Sequence, residues 1–139
     1  MDNKIVFRNF EKGDYKMVCK WWEWWWKGET GIERDILPDN KQCFIIECND
    51  ISVGCGFLFV DKTAPIGYLT WVVSNPEYKE KNRRRMLELL IENIERKAKY
   101  IGIKFLFTVC GDIHMQNIHK KLGWAIDKSR PAYESFKYI

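Results

Sequence analysis

The sequence lacks any apolar run close to the roughly 20 residues that a membrane-spanning helix requires, so no membrane partner is expected. It also lacks internal repeats, low-complexity segments and linkers, which predicts one domain over residues 1–139. The first four residues, MDNK, lead directly into a strand-like segment without an apolar signal sequence. We therefore expect a cytoplasmic protein.

Metal and disulfide signatures are also missing. The five cysteines are odd in number and form no C-x-x-C pair, and most lie in strand-like apolar segments (Cys43, Cys48, Cys55, Cys110). This pattern favours buried free thiols in a reducing compartment over a disulfide scaffold or a metal site. His114 and His119 lie about 140° apart around a helix, so they do not form a metal-binding pair. No metal is predicted.

The net charge of +4 is a mild excess that suits a small polyanionic ligand. It is too small to indicate a protein that binds duplex nucleic acid. A nucleic-acid patch formed by the consecutive arginines at positions 83–85 is kept as a third, weaker hypothesis.

Hydrophobic periodicity and turn residues predict alternating strands and helices. We expect Asp14 to cap the first helix and Asn49-Asp50 to join a hairpin. The strand at 103–109 is apolar enough to be buried on both faces. The full prediction is strands at 5–10, 42–48, 51–61, 67–74, 103–109, 124–128 and 132–138, with helices at 15–27, 78–101 and 113–122 and a loop or short helix at 28–40. This order predicts a mixed sheet with helices on its faces and a parallel crossover between the strands at 67–74 and 103–109.

Residues 71–85 (WVVSNPEYKEKNRRR) are the most informative segment. A strand ends in a polar turn, and a long helix then opens with three consecutive arginines. The first turn of a helix exposes unpaired N–H groups and the positive end of the helix dipole, so it binds anions. Cations are unfavourable there, and a bound phosphate is the simplest way to offset their cost.

Five tryptophans between positions 21 and 26 cannot all face one side of a helix. Trp22 and Trp25 share a face with Val18, whereas Trp21 and Trp24 point elsewhere. Some aromatic surface must therefore stay near solvent, and exposed aromatic patches usually bind a ligand or partner. Packing under residues 28–40 or in a homodimer is the alternative.

The element order resembles that of the Gcn5-related N-acetyltransferases, the GNAT family, over nearly the whole chain. Three segments carry the resemblance: residues 73–79 (VSNPEYK), residues 101–104 (IGIK) and residues 118–124 (IHKKLGW), which is similar to the family's LYEKLGF ending. The tryptophan-rich segment is similar to GNAT-like proteins of bacteriophages. The resemblance implies an α/β (α+β) fold whose mixed central sheet has six to seven strands, with helices on both faces.

The resemblance also implies an enzyme, an acyl-CoA-dependent N-acyltransferase with acetyl-CoA as donor and a small-molecule or protein amine as acceptor. The implied catalytic residue is His119, at the position of a tyrosine that protonates the departing thiolate. The implied acceptor site is formed by Trp21, Trp24 and Trp25. The implied coenzyme A site is formed by Val72, Val73, Ser74, Lys79, Lys81, Asn82, Arg83, Arg84 and Arg85.

The chain departs from the family in its pyrophosphate loop, where Asn82 and Arg84 replace two glycines. Asparagine tolerates the left-handed conformation better than most residues, so the turn can survive. Two outcomes stay open: the arginine side chains bind the pyrophosphate in place of bare backbone, or coenzyme A no longer binds. No general base is evident, and a non-catalytic GNAT-like interaction module is the alternative function.

Overall fold

The computed structural model describes residues 2–29, 31–130 and 132–139. The chain divides into a larger compact unit that ends at Val109 and a smaller one, Cys110–Ile139. The larger unit holds five strands and two helices, and the smaller unit holds a third helix. No helix among the described residues is long and apolar enough to cross a membrane.

A five-stranded sheet in the order β1-β2-β3-β4-β5 forms the larger unit. Neighbouring strands are antiparallel except β4 and β5, which are parallel, as the predicted crossover requires. The strands are β1 Ile5–Asn9, β2 Cys43–Cys48, β3 Ile51–Val60, β4 Ile66–Ser74 and β5 Phe105–Thr108. The helices are α1 Asp14–Trp25, α2 Arg83–Tyr100 and α3 Ile113–Lys121, with 3-10 turns at Arg34–Ile36 and Asn40–Gln42.

The predicted count of six to seven strands is wrong, because the described parts of the tail form no strand. At 124–128, local bonding competes with strand pairing. The Asp127 carboxylate accepts hydrogen bonds from the Ser129 N–H and hydroxyl and from Arg130. A turn therefore replaces the first predicted tail strand, and residues 132–138 are also irregular.

Helix α1 covers one face of the sheet through an apolar cluster. Val18, Trp21 and Trp22 are buried in it with Phe57 of β3. Trp22 stacks on Trp26 and contacts the Phe57 ring. The predicted face is corrected at two residues: Trp21 joins Val18 and Trp22 inside, whereas Trp25, at the helix end, is 39% exposed.

Helix α2 covers the opposite face, so helices on both faces are confirmed. Its buried residues recur at the spacing of one helical face: Met86, Leu87, Leu90, Ile91, Ile94 and Ala98. Two glycines of β3 let it approach the sheet, because a Cβ at Gly54 would lie 2.8 Å from Leu87 and one at Gly56 would lie 2.9 Å from Ile94.

Several predicted boundaries move for local reasons. Asp14 is the first residue of α1 rather than its cap; its carboxylate accepts the Glu11 N–H and pairs with Arg8. Helix α2 begins at Arg83 rather than near position 78. The predicted hairpin is confirmed, with Asn49 and Asp50 at φ 51° and 66°.

Strand β5 is not buried on both faces, contrary to the sequence expectation. Phe105 and Phe107 are 54% and 47% exposed. They point to one face of the strand, where Phe107 stacks on Tyr68 of β4. Aromatic surface over β4 and β5 is therefore open to solvent.

We expect Gly56→Val to destabilise the larger unit by about 1–3 kcal/mol, because the added side chain overpacks the contact with Ile94. Gly111→Val is the matched control, since a Cβ at Gly111 meets nothing within 4 Å. Urea denaturation measures both free energies of unfolding. Equal losses in the two variants would contradict close packing of α2 on β3.

Candidate functional site

A β-bulge interrupts β4 before its end. Cys55 of β3 pairs with Val73, but Phe57 pairs with Thr70, so two residues of β4 lie opposite one residue of β3. One of the two, Trp71, has φ 46°, a conformation that is rare and costly for a bulky side chain. Such bulges bend a strand and often lie beside functional sites. The bend falls at the residues for which the family resemblance implies pantetheine contacts.

The bulge coincides with the parting of β4 from β5. The two strands pair only from Ile66–Phe105 to Leu69–Thr108. Beyond Leu69, β4 has a strand partner on its β3 side only, among the described residues of the larger unit. Residues 70–74 therefore present main-chain groups on the other side, and we call this segment the open edge of β4.

Three of the predicted site residues meet where the open edge ends. The Trp25 indole N–H donates a hydrogen bond of 2.7 Å to the Ser74 carbonyl oxygen. The Arg83 guanidinium donates to the Ser74 hydroxyl at 2.8 Å, and its carbon lies 5.1 Å from the centre of the Trp25 ring. This Trp25–Ser74–Arg83 cluster joins α1, β4 and the first residue of α2, and it holds a cation at the strand end.

The other two arginines of the first turn are ion-paired within α2. Arg84 lies 3.5 Å from Glu88, and Arg85 lies 3.2 Å from Glu88 and 3.6 Å from Glu92. Glu88 is 1% exposed, so its charge acts in a less screened environment than a surface carboxylate. These acids supply part of the compensation that the sequence analysis assigns to a bound phosphate.

The turn before α2 does not use the left-handed conformation expected for Asn82. That residue has φ −85° and ψ 4°, and its side chain bonds to Tyr78 and Cys48. Tyr78 is buried, so the turn is held by side chains in place of glycine flexibility. Lys79 and Lys81 are exposed at its surface.

Trp21 and Trp24, the other predicted acceptor residues, line an open groove of about 550 Å³ beside α1. The opposite wall is formed by residues that follow β4, including Asn75 and Glu77. Trp24 is 61% exposed and packs edge-on against Trp25. The tryptophans are thus divided between the Trp25–Ser74–Arg83 cluster and this groove, and their role in acceptor binding stays a prediction.

His119, the predicted proton donor, is fully buried in α3. Its Nδ1 lies 2.8 Å from the Met115 carbonyl oxygen, which can only accept, so Nδ1 carries a proton. The Cys110 Sγ lies 3.5 Å from Nδ1, and the Trp124 ring packs edge-on against the imidazole. Burial lowers the pKa of His119 more than the Met115 bond raises it. A neutral imidazole is therefore favoured, and donation from an imidazolium would need an uphill protonation.

Sequence reasoning missed two features of this site. No sequence pattern indicates the bulge, since tryptophan is a residue type that avoids the positive φ found at Trp71. The pairing of Arg84 and Arg85 with Glu88 could have been found, because their spacings are i,i+4 and i,i+3. Among the described residues, no cluster of histidine, cysteine and acidic side chains could hold a metal.

The lowered pKa of His119 predicts a pH-dependent stability. The folded chain binds this proton less readily than the unfolded chain, whose histidine titrates near 6.5. The contribution of neutral His119 to the free energy of unfolding is therefore complete above pH 6.5. It is lost as the pH falls from 6.5 through the lower pKa of the folded state. The difference in unfolding free energy between wild type and His119→Gln should therefore shrink as the pH falls. The exposed His114, changed to Gln, is the control; a difference that does not depend on pH would contradict the burial of a neutral ring.

No protein-family model and no curated protein sequence matches the chain. Solved acetyltransferase structures do match it. An aminoglycoside acetyltransferase from an uncultured soil metagenomic sample, in complex with trehalose, has a TM-score of 0.69 at 11% identity, with 97% of each chain covered. The aminoglycoside N-acetyltransferase AAC(6')-Iy, in complex with a bisubstrate analogue of coenzyme A, has a TM-score of 0.69 at 13% identity, covering 97% of this chain and 99% of that one.

Diaminobutyrate acetyltransferase from Paenibacillus lautus, in complex with L-2,4-diaminobutyric acid and coenzyme A, has a TM-score of 0.65 at 18% identity, covering 88% of this chain and 75% of that one. Identities this low establish the fold and nothing finer. The resemblance to phage proteins stays a prediction. The chain has the fold of the GNAT N-acetyltransferases.

Proposed function

We propose that this chain is an acyl-CoA-dependent N-acyltransferase that transfers an acetyl group to a small-molecule amine by direct attack. The open edge of β4 carries the proposal. Beyond Leu69 it has no strand partner on its β5 side among the described residues of the larger unit, and it runs directly to the Trp25–Ser74–Arg83 cluster and the start of α2. A ligand with amide groups at one end and a diphosphate at the other matches this order.

The donor fits these residues in two parts. The amide groups of the pantetheine arm would pair with the main chain of Val72, Val73 and Ser74, as an added strand does. The diphosphate would lie at the first turn of α2, where helix N–H groups point outward. Arg83 at the strand end and the exposed Lys79 and Lys81 would add positive charge. Guanidinium and ammonium groups would thereby replace the close backbone contacts that glycines allow.

The reaction needs a neutral amine close to the thioester. Its nitrogen attacks the carbonyl carbon, a C–N bond forms and the C–S bond breaks, with the electron pair leaving on sulfur. The attacking nitrogen, which becomes positively charged, releases one proton to water. The thiolate then takes up a proton, which we assign to His119. The lowered pKa of this histidine makes that transfer favourable once the ring is protonated, but it keeps the protonated fraction small near neutral pH.

The structural relatives support a small-molecule acceptor. The relatives named above are acetyltransferases of aminoglycosides and of diaminobutyrate. A small-molecule amine is therefore a better-supported acceptor than a protein. The fold alone does not distinguish one amine from another, and the identity of the acceptor depends on the surface residues of this chain.

One observation favours a second candidate, the non-catalytic interaction module. Arg84 and Arg85 already have carboxylate partners, and Asn82 is bonded to Tyr78 and Cys48. The first turn of α2 is therefore stable without a phosphate. Binding of coenzyme A separates the two candidates directly.

We expect wild-type protein to bind acetyl-CoA with micromolar affinity in isothermal titration calorimetry, and Arg83→Ala to lose about tenfold or more of it, since hydrogen bonds to charged groups contribute roughly 1.5–3 kcal/mol. Arg96→Ala is the matched control, because Arg96 is an exposed arginine on the same helix. A folded wild-type chain that gives no heat at millimolar acetyl-CoA would favour the interaction module.

Trp25 should influence the same affinity through Arg83. We expect Trp25→Leu to weaken acetyl-CoA binding by about two- to fivefold, because a cation–π contact at a partly exposed site contributes roughly 0.5–1 kcal/mol. Trp25→Phe keeps a ring and should lose less. Trp24→Leu changes the neighbouring, more exposed indole and should leave the affinity unchanged. Equal losses at Trp24 and Trp25 would contradict a specific role for the cluster.

A further inference from the structure

A recess of about 410 Å³ opens on β3 and β4, away from the groove of Trp21 and Trp24. It adjoins the start of the open edge, because two residues of that edge, Thr70 and Trp71, belong to its lining. The complete lining is Phe59, Val60, Asp61, Tyr68, Thr70 and Trp71. No function discussed above uses this recess.

Aromatic rings form most of its wall. The Phe59 and Trp71 rings pack edge-on with their centres 5.8 Å apart, and Phe59 is paired across the strands with Tyr68. Tyr68 is 43% exposed and Trp71 is half-buried, so part of the ring surface stays open. The negative faces of such rings attract a cation that lies within about 6 Å of the ring centre.

Asp61 supplies the only formal charge among the lining residues, in a chain whose net charge is +4. Its Oδ1 accepts hydrogen bonds from the Thr63 N–H and hydroxyl and from the Ala64 N–H. These bonds lower the pKa of Asp61 and hold its carboxylate in place. Lys62 follows it in sequence but does not line the recess. A fixed anion beside aromatic faces is complementary to an ammonium group.

The Thr70 side chain adds a buried polar group. Its hydroxyl oxygen forms no hydrogen bond among the described residues. Such a hydroxyl is unfavourable, because it has lost its hydrogen bonds to water without gaining others. An ammonium group brings N–H donors, and a small movement of the adjoining Trp71 ring would let one of them reach this oxygen.

We propose that this recess binds a protonated nitrogen of the acceptor, which makes the acceptor a diamine or a longer oligoamine. This inference rests on the proposed function only for the acceptor nitrogen that is acylated. A site of rings and a carboxylate stabilises the charged form of an amine, whereas the attacking nitrogen must be neutral. The nitrogen held in the recess is therefore not the one that is acylated.

The spacing along β4 agrees with this division. The recess ends at Trp71, and Val73 lies two residues further along the open edge, roughly 7 Å away at the rise of a strand. A short chain of methylene groups spans that distance. The second amine of the acceptor then lies beside the edge where the pantetheine arm and its thioester are proposed to bind.

The test measures amine binding to the chain without coenzyme A. Isothermal titration with spermidine should show saturable binding, and 1-butanol, which carries no ammonium group, should bind at least tenfold more weakly. Asp61→Asn keeps the turn-forming Oδ1 but removes the charge, and Trp71→Leu removes one ring face. Each should weaken spermidine binding by about threefold or more.

Trp71→Phe, which keeps a ring at the strained position, covers the case in which Trp71→Leu does not fold. Tyr100→Leu, which changes an exposed ring at the end of α2 outside both the recess and the groove, is the matched control. The inference is overturned if spermidine does not bind, if Asp61→Asn binds it as wild type does, or if only Trp24→Leu, in the other groove, weakens it. If the chain binds spermidine but not acetyl-CoA, the inference about the recess is supported and the proposed function is refuted. If it binds acetyl-CoA but not spermidine, the proposed function is supported and the inference about the recess is refuted.

Discussion

The bulge in β4 is the constraint on which the rest of the site depends. Two residues of β4 lie opposite Gly56, which bends the strand, and the pairing of β4 with β5 ends just before them, at Leu69 and Thr108. The open edge exists because of that early ending, and Trp71 is held at a costly positive φ to maintain it. The same bend puts Thr70 and Trp71 at the recess. One local irregularity thus creates both the surface proposed for the donor and the surface proposed for the acceptor.

Electrostatics at the start of α2 explain how the chain tolerates cations where a helix disfavours them. Glu88 is buried beneath Arg84 and Arg85 and balances them within the helix, whereas Arg83 lies against the Trp25 ring and the Ser74 hydroxyl. Arg83 is thus held by neutral groups and keeps its full charge for an anion. The adjacent arginines therefore have different roles. Arg84 and Arg85 stabilise the first turn of α2, and Arg83 is available to bind an anion at the strand end.

The sequence predicts the elements whose signals are local and fails where the decisive contacts are distant. The hairpin at Asn49 and the helix that ends before Gly102 follow from turn chemistry and apolar spacing. The first predicted tail strand, at 124–128, fails because Asp127 forms a local turn with Ser129 and Arg130. Within the site, the role of Val72 to Arg83 stays a prediction from family resemblance. The contact between Trp25 and Arg83 is not predicted, because it joins residues far apart in sequence. No sequence pattern predicts that these two residues are in contact, because only the fold brings them together.

Amide hydrogen exchange at the open edge tests the central claim most directly. With coenzyme A at about 100 times its dissociation constant, exchange of the amides in residues 70–75 should slow by up to about 100-fold, as mass action allows. The amides of β1, at the opposite edge of the sheet, should not change. Unchanged exchange in residues 70–75 under conditions that saturate the protein would contradict the claim that β4 receives the donor as an added strand.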